Sequence, residues 1–75
     1  MDVRGTALAV IGKVSRRPVD ELRPEMELVG DLDLDSARSL ELLVELEDAL
    51  GIEIDDEDAA LMNTVGDILA FVERR

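Results

Sequence analysis

A chain of 75 residues, 47% of them hydrophobic but with one aromatic, Phe71, holds one small domain whose core must be built from Leu, Val, Ile, Ala and Met. Cysteine and histidine are absent, which removes disulfides, thiolate and imidazole metal ligands, Cys and His nucleophiles and the usual neutral-pH proton shuttle. A net charge of −11 argues against a nucleic-acid partner, and no apolar run approaches the ~20 residues that a membrane helix needs.

In chain order, Val3, Ala7, Val10, Ile11 and Val14 form the stripe of an amphipathic first helix, with Asp2 as its cap. From Arg16 to Asp35 the period is lost. Pro18, Pro24 and Gly30 punctuate a long ordered loop that Val19, Leu22, Met26, Leu28 and Leu32 are expected to pin to the core. A second helix starts near Ser36 with Asp35 as N-cap and runs through Leu42, Leu43, Leu46, Ala49 and Leu50 to Gly51, with Arg38, Glu41, Glu45 and Asp48 on its outer face. Ile52 and Ile54 are extended anchors, and Asp55 opens a brief third helix through Asp58, Ala59 and Met62. Thr64 and Asp67 have capping-box spacing before Val65, Ile68, Leu69 and Val72, so a fourth helix follows, with Arg74 and Arg75 in its last turn. The predicted fold is an all-α four-helix bundle, three main helices and one short, with a long first crossover and a core of Leu42, Leu46, Leu50, Ile54, Ala59, Met62, Val65, Ile68 and Val72. The whole chain, 1–75, reads as a single domain, monomeric and cytoplasmic, for the Met-Asp-Val-Arg start has no basic region followed by an apolar one.

The charge is unevenly spread. Residues 31–58 carry twelve acids and one base, Arg38, while the rest of the chain is neutral. A solvated acidic face is the plain explanation, but this one surrounds a serine at a helix start and favours a basic partner.

Around that serine the residues fall into an ordered series: Asp31-Leu32-Asp33-Leu34-Asp35-Ser36, Glu41-Leu42, Leu46-Glu47, Gly51-Ile52-Glu53-Ile54, Asp56-Glu57-Asp58-Ala59 and Thr64-Val65-Gly66-Asp67-Ile68. This series resembles the acyl carrier proteins of fatty acid and polyketide synthesis, closely over residues 28–72 and over 1–27 only in helix pattern and loop length. The resemblance implies that Ser36 receives 4′-phosphopantetheine from coenzyme A through a separate phosphopantetheinyl transferase. The arm then holds acyl intermediates as thioesters, and the carrier itself is no enzyme. It further implies that Asp35 is read by the transferase, and that Glu41, Glu47 and Asp48, flanked by Ala37 and Arg38, face basic patches on acyltransferase, ketosynthase and related enzymes. The interior between the second and fourth helices would part around a growing chain. Three residues depart from the family pattern: Asp33 where glycine is frequent, Ala37 for a larger apolar residue, and Arg38 where an acid is common. The last two point toward a specialised pathway.

Other readings compete. Asp31, Asp33 and Asp35 are spaced like the start of a calcium loop, but its sixth position is Ser36 where glycine is required and its twelfth is Leu42 where glutamate is required. Glu41 lies one residue early, turned away by ~100°. An unmodified acidic helical adaptor for a basic protein remains open. So does a peptidyl or aminoacyl carrier, although those usually approach the serine through Gly-Gly, and here it is Leu34-Asp35. An enzyme is the weakest alternative, since no nucleophile motif accompanies the carboxylates. The Met start without a flanking linker points to a stand-alone subunit.

Overall fold

The computed structural model describes residues 2–74. Four helices follow one another: α1 (Val3–Ser15), α2 (Ser36–Leu50), α3 (Asp56–Ala60) and α4 (Val65–Glu73). The predicted bundle is therefore observed, with α1 packed on both α2 and α4.

Each helix starts where a short polar side chain meets the orphan amides of the first turn. Asp2 accepts from Gly5 N, Asp35 from Arg38 N, Asp55 from Asp58 N and Thr64 from Asp67 N. The expected capping box is complete, because the Asp67 carboxylate also accepts from Thr64 N at 3.1 Å. Both long helices end in a left-handed residue: α1 in Arg16 (φ 61°) and α2 in Gly51 (φ 64°), the residue type for which that conformation carries no side-chain clash. At the end of α4, Arg74 Nε donates to Ala70 O, while the expected place of Arg75 in that turn lies outside the described residues.

The core is aliphatic, as the composition requires. Ile11, Leu42, Leu46, Val65, Ile68 and Val72 are the largest fully buried side chains. Each such burial is worth ~1.5–3 kcal/mol. Of the expected core, Leu42, Leu46, Met62, Val65, Ile68 and Val72 are buried, and Leu50, Ile54 and Ala59 are half-buried at its edge. Val3 and Ala49 are exposed instead, the former in the outermost turn of α1 and the latter on the flank of α2.

The long loop is ordered and contains one 3-10 turn, Val19–Glu21. Leu28, Leu32 and Leu34 are its buried anchors, Leu22 and Met26 are half-buried, and Val19 is 44% exposed and so pins little. Its main anchor is one that no hydropathy pattern announces. Val65 N donates to Met26 O at 3.0 Å and Gly66 N to Pro24 O at 2.8 Å, while Leu28 N donates to Asn63 O at 3.0 Å. The loop backbone thus caps α4. Gly66 makes this possible, since a Cβ there would lie 3.0 Å from Pro24 O and 3.3 Å from Pro24 Cβ. α3 stops at Ala60, short of the expected Met62: Leu61 N and Met62 N turn back to Asp58 O and Ala59 O, and the chain then meets the loop at Asn63 and Thr64, where the isolated bridge Glu27–Thr64 marks the contact.

Candidate functional site

The approach to Ser36 is built from alternating residues. Leu32 and Leu34 are 3% and 2% exposed and fix the strand of loop on either side of Asp33. Asp33 bridges them at φ 57°, the left-handed region in which glycine is free and Asp is among the better-tolerated side chains. Asp35 then turns the chain into α2, its Oδ1 accepting from Arg38 N at 2.8 Å.

Ser36 is the first residue of α2 and is exposed. Among the described residues its hydroxyl makes no hydrogen bond, and the amides of Ser36 and Ala37 have no acceptor. A phosphoryl group on this oxygen would meet those amides and the positive end of the helix dipole. A phosphodiester at Ser36 fits the site, and a thiol at the end of such an arm would supply the acyl-carrying chemistry.

The partner-facing residues expected from sequence do not all share one face. Ala37, Glu41 and Asp48 are exposed on the outer side of α2, and Asp35 is exposed at its start. Arg38 and Glu45 turn toward α1 instead: Arg38 Nη1 donates to Val14 O at 3.1 Å, and Lys13 Nζ donates to Glu45 Oε1 at 2.8 Å. The outer face predicted as Arg38, Glu41, Glu45 and Asp48 is corrected accordingly. Glu45 also raises the Lys13 pKa, first by this hydrogen bond and then by charge. Glu47 is half-buried, with Oε2 accepting from Ile54 N at 2.7 Å, so it ties the segment after α2 back to the helix.

Farther round α2 stand two residues that the sequence reading passed over. Leu40 and Val44 are 64% and 52% exposed. They repeat at i and i+4 but lie about 200° around the helix from Leu42 and Leu46, a second apolar register that is visible in the sequence once helical phase is tracked. With Ala37 they form an apolar strip beside Ser36, bordered by Glu41 and Asp48.

Leu42 and Leu46 of α2 and Val65 and Ile68 of α4 are fully buried in one core. A cleft of about 370 Å³ opens elsewhere, between α2, the long loop and α3, lined by Leu28, Val29, Ser39, Leu43, Ala59 and Met62.

The three aspartates before Ser36 do not converge on a common point. Asp31 Oδ2 accepts from Glu27 N at 2.7 Å, Asp33 lies 3.7 Å from Arg17 Nη2, and Asp35 caps α2. Among the described residues no helix is long and apolar enough to cross a membrane.

Comparison with known proteins agrees with this geometry. A profile of the phosphopantetheine attachment site family matches residues 6–72. The chain is 40% identical over 65 residues to the meromycolate extension acyl carrier proteins of Mycobacterium bovis and Mycolicibacterium smegmatis, covering 87% of this chain and 56% and 66% of theirs. It thus spans little more than half the length of the first. Among solved structures, a Mycobacterium tuberculosis protein assigned as an acyl carrier protein superposes with a TM-score of 0.88 at 32% identity, covering 97% of both chains. The acyl carrier protein of Enterococcus faecalis superposes with a TM-score of 0.76 at 31% identity, over 96% of this chain and 95% of that one. The chain therefore belongs to the phosphopantetheine attachment family of acyl carrier proteins, which bear a covalent 4′-phosphopantetheine arm and serve biosynthetic enzymes without being enzymes themselves.

Proposed function

We propose that residues 1–75 act as one acyl-carrier domain, with Ser36 as the attachment serine of the 4′-phosphopantetheine arm. The observation that supports this most directly is the exposed Ser36 hydroxyl at the head of α2, free of internal partners and beside two unpaired amides. Asp35 has two tasks, capping the helix and presenting a carboxylate to the transferase. Loading forms an ester bond between Ser36 Oγ and the phosphorus of coenzyme A's pantetheine phosphate. It breaks the pyrophosphate bond, releases adenosine 3′,5′-bisphosphate, and the serine proton leaves to a base of the transferase. The protein then contributes orientation and a high local concentration of the bound acyl group.

Docking of acyltransferase, ketosynthase and related enzymes is assigned to the outer face of α2. Ala37, Leu40 and Val44 supply apolar contact, and Asp35, Glu41 and Asp48 steer basic patches. Exposed ion pairs of this kind contribute ~0.2–1 kcal/mol each, which suits brief, salt-sensitive visits to successive partners.

Intact mass before and after incubation with coenzyme A, magnesium and a broad-specificity phosphopantetheinyl transferase tests the assignment, with thiol titration alongside. The chain has no cysteine, so any thiol belongs to the arm. The expected result is a gain of one phosphopantetheinyl group and one thiol, both abolished by Ser36→Ala. Folded protein that starts without the arm and gains none would favour the unmodified acidic adaptor.

A further inference from the structure

Ser36 is bracketed by two side-chain ties that reach the same place. Two residues after it, Arg38 Nη1 donates to Val14 O at 3.1 Å. Three residues before it, the Asp33 carboxylate lies 3.7 Å from Arg17 Nη2. Both end on the last turn of α1 or just beyond, and they are made by two of the residues that depart from the family pattern. Arg38 is also held from behind, since its amide is the one that Asp35 Oδ1 accepts at 2.8 Å. The chain Asp35–Arg38–Val14 therefore fastens the cap of α2 to the end of α1, with Ser36 inside the fastened turn.

The chemistry at the α1 end favours a cation. Val14 lies in the final turn, where carbonyls lack intrahelical partners and the helix dipole is negative. Gly12 O is already taken by the amides of Arg16 and Arg17, and Ile11 O by Ser15 Oγ. Arg38 supplies a donor to a carbonyl beyond these. Its guanidinium is partly buried against α1 and forms no ion pair among the described residues, so this tie is its principal contact. The second tie is weaker, because Asp33 is 83% exposed and its distance to Arg17 is long.

We propose that Arg38 is a positioning residue for loading of the carrier: by capping α1 it braces the first turn of α2 and holds the Ser36 hydroxyl where a transferase can use it. This rests on Ser36 being the attachment serine. A braced turn keeps the serine in one orientation, whereas a loosened turn presents it correctly only part of the time, and the turnover rate falls with that fraction. Arg38 in this role contributes little to docking, because its charge is spent on the α1 carbonyl.

Two readouts test the proposal, one of which needs no transferase. Amide exchange is followed at Arg38 and Ser39, whose N–H groups are bonded to Asp35 Oδ1 and Asp35 O. In Arg38→Ala these two amides should exchange about tenfold faster, the scale of one charge-assisted hydrogen bond, while those of Leu42 and Leu46 are unchanged. Loading by a broad-specificity transferase is measured on the same variants. Arg38→Ala should lower kcat by about five- to tenfold with KM within about twofold, equally at ~0.05 M and ~0.5 M salt, since an internal brace is not a screened encounter. Arg38→Lys keeps the charge and a donor, and should recover most of the loss in both readouts.

Wild-type exchange at Arg38 and Ser39 in both variants would overturn the brace. So would an unchanged kcat with a KM increase that disappears in high salt, which would make Arg38 a surface contact of the transferase. Wild-type protein that is never loaded would remove the carrier assignment instead, a failure that the exchange experiment keeps separate from that of the brace.

Discussion

Two helices of this protein begin with the same device and are finished in opposite ways. α2 opens on Asp35 and α4 on Thr64, and each cap accepts from the amide three residues on. At α4 the remaining donors are consumed: Val65 N and Gly66 N go to Met26 O and Pro24 O, and Thr64 N goes to Asp67. At α2 the corresponding amides of Ser36 and Ala37 have no acceptor among the described residues, and the first residue after the cap is an exposed serine. Open first-turn amides are not peculiar to α2, since Asp56 N and Glu57 N at the start of α3 have no acceptor among the described residues either. What sets the start of α2 apart is an exposed serine hydroxyl beside its open donors, where α4 has a buried Val65 and donors that the loop has already taken.

The largest expected disturbance of this contrast is at the closed terminus. Gly66→Ala puts a methyl group 3.0 Å from Pro24 O and should cost ~1–3 kcal/mol in chemical denaturation, with loss of amide protection at Val65 and Gly66. Ser36→Ala, on an exposed side chain, should leave stability within ~0.5 kcal/mol while abolishing loading.

Removing the caps should give matched losses of stability and unmatched losses of function. Asp35→Ala and Thr64→Ala are each expected to cost ~1 kcal/mol in denaturant unfolding. Only the first should slow phosphopantetheine transfer. Equal loading of both variants would mean that Asp35 acts as a cap alone.

Acid should act on the closed terminus in a defined direction. The Asp67 carboxyl is held below its ordinary value, first by the Asn63 amide and then, against the opposing effect of desolvation, by the amide and hydroxyl of Thr64. A carboxylate with a lowered folded-state pKa adds stability above its unfolded value, and this contribution is lost as pH falls through the folded value, below about pH 4. Asp67→Asn should therefore reduce stability at neutral pH and flatten the acid limb of a thermal unfolding profile. A mutant whose acid limb superposes on that of the wild type would sink this account.

The smallest effect is expected at Asp33. Asp33→Gly relieves a left-handed side chain but enlarges the freedom of the unfolded loop, and the two terms nearly cancel to within ~0.5 kcal/mol. Its interest is in comparison with Arg38→Ala, since Arg38 ties the first turn of α2 to the last turn of α1 and Asp33 ties the approach to Ser36 to Arg17 just beyond.

Much of this was legible beforehand because the signals are local. Caps, capping box, heptad-like apolar spacing and the Gly51 stop each depend on residues within a few positions of one another, and α1, α2 and α4 lie where those signals put them. The ordered series from Asp31 to Ile68, through its resemblance to acyl carrier proteins, was enough to name the family. What the pattern misjudged was the orientation of side chains on α2. Arg38 and Glu45 are polar and were set on the solvent face, yet both turn to α1, while the apolar Leu40 and Val44 face outward.

The sequence by itself determined the three main helices, their ends, the aliphatic core and the serine at the head of α2, because each of these is decided by helical period and by hydrogen bonds between near neighbours. Tertiary structure alone decided that a loop backbone closes α4, that Glu47 holds Ile54, and that Arg38 crosses to Val14, a contact between residues 24 positions apart. Such contacts have no period to betray them. They exist because orphan carbonyls and amides must find partners once the helices pack, and which side chain supplies the partner depends on where packing brings it.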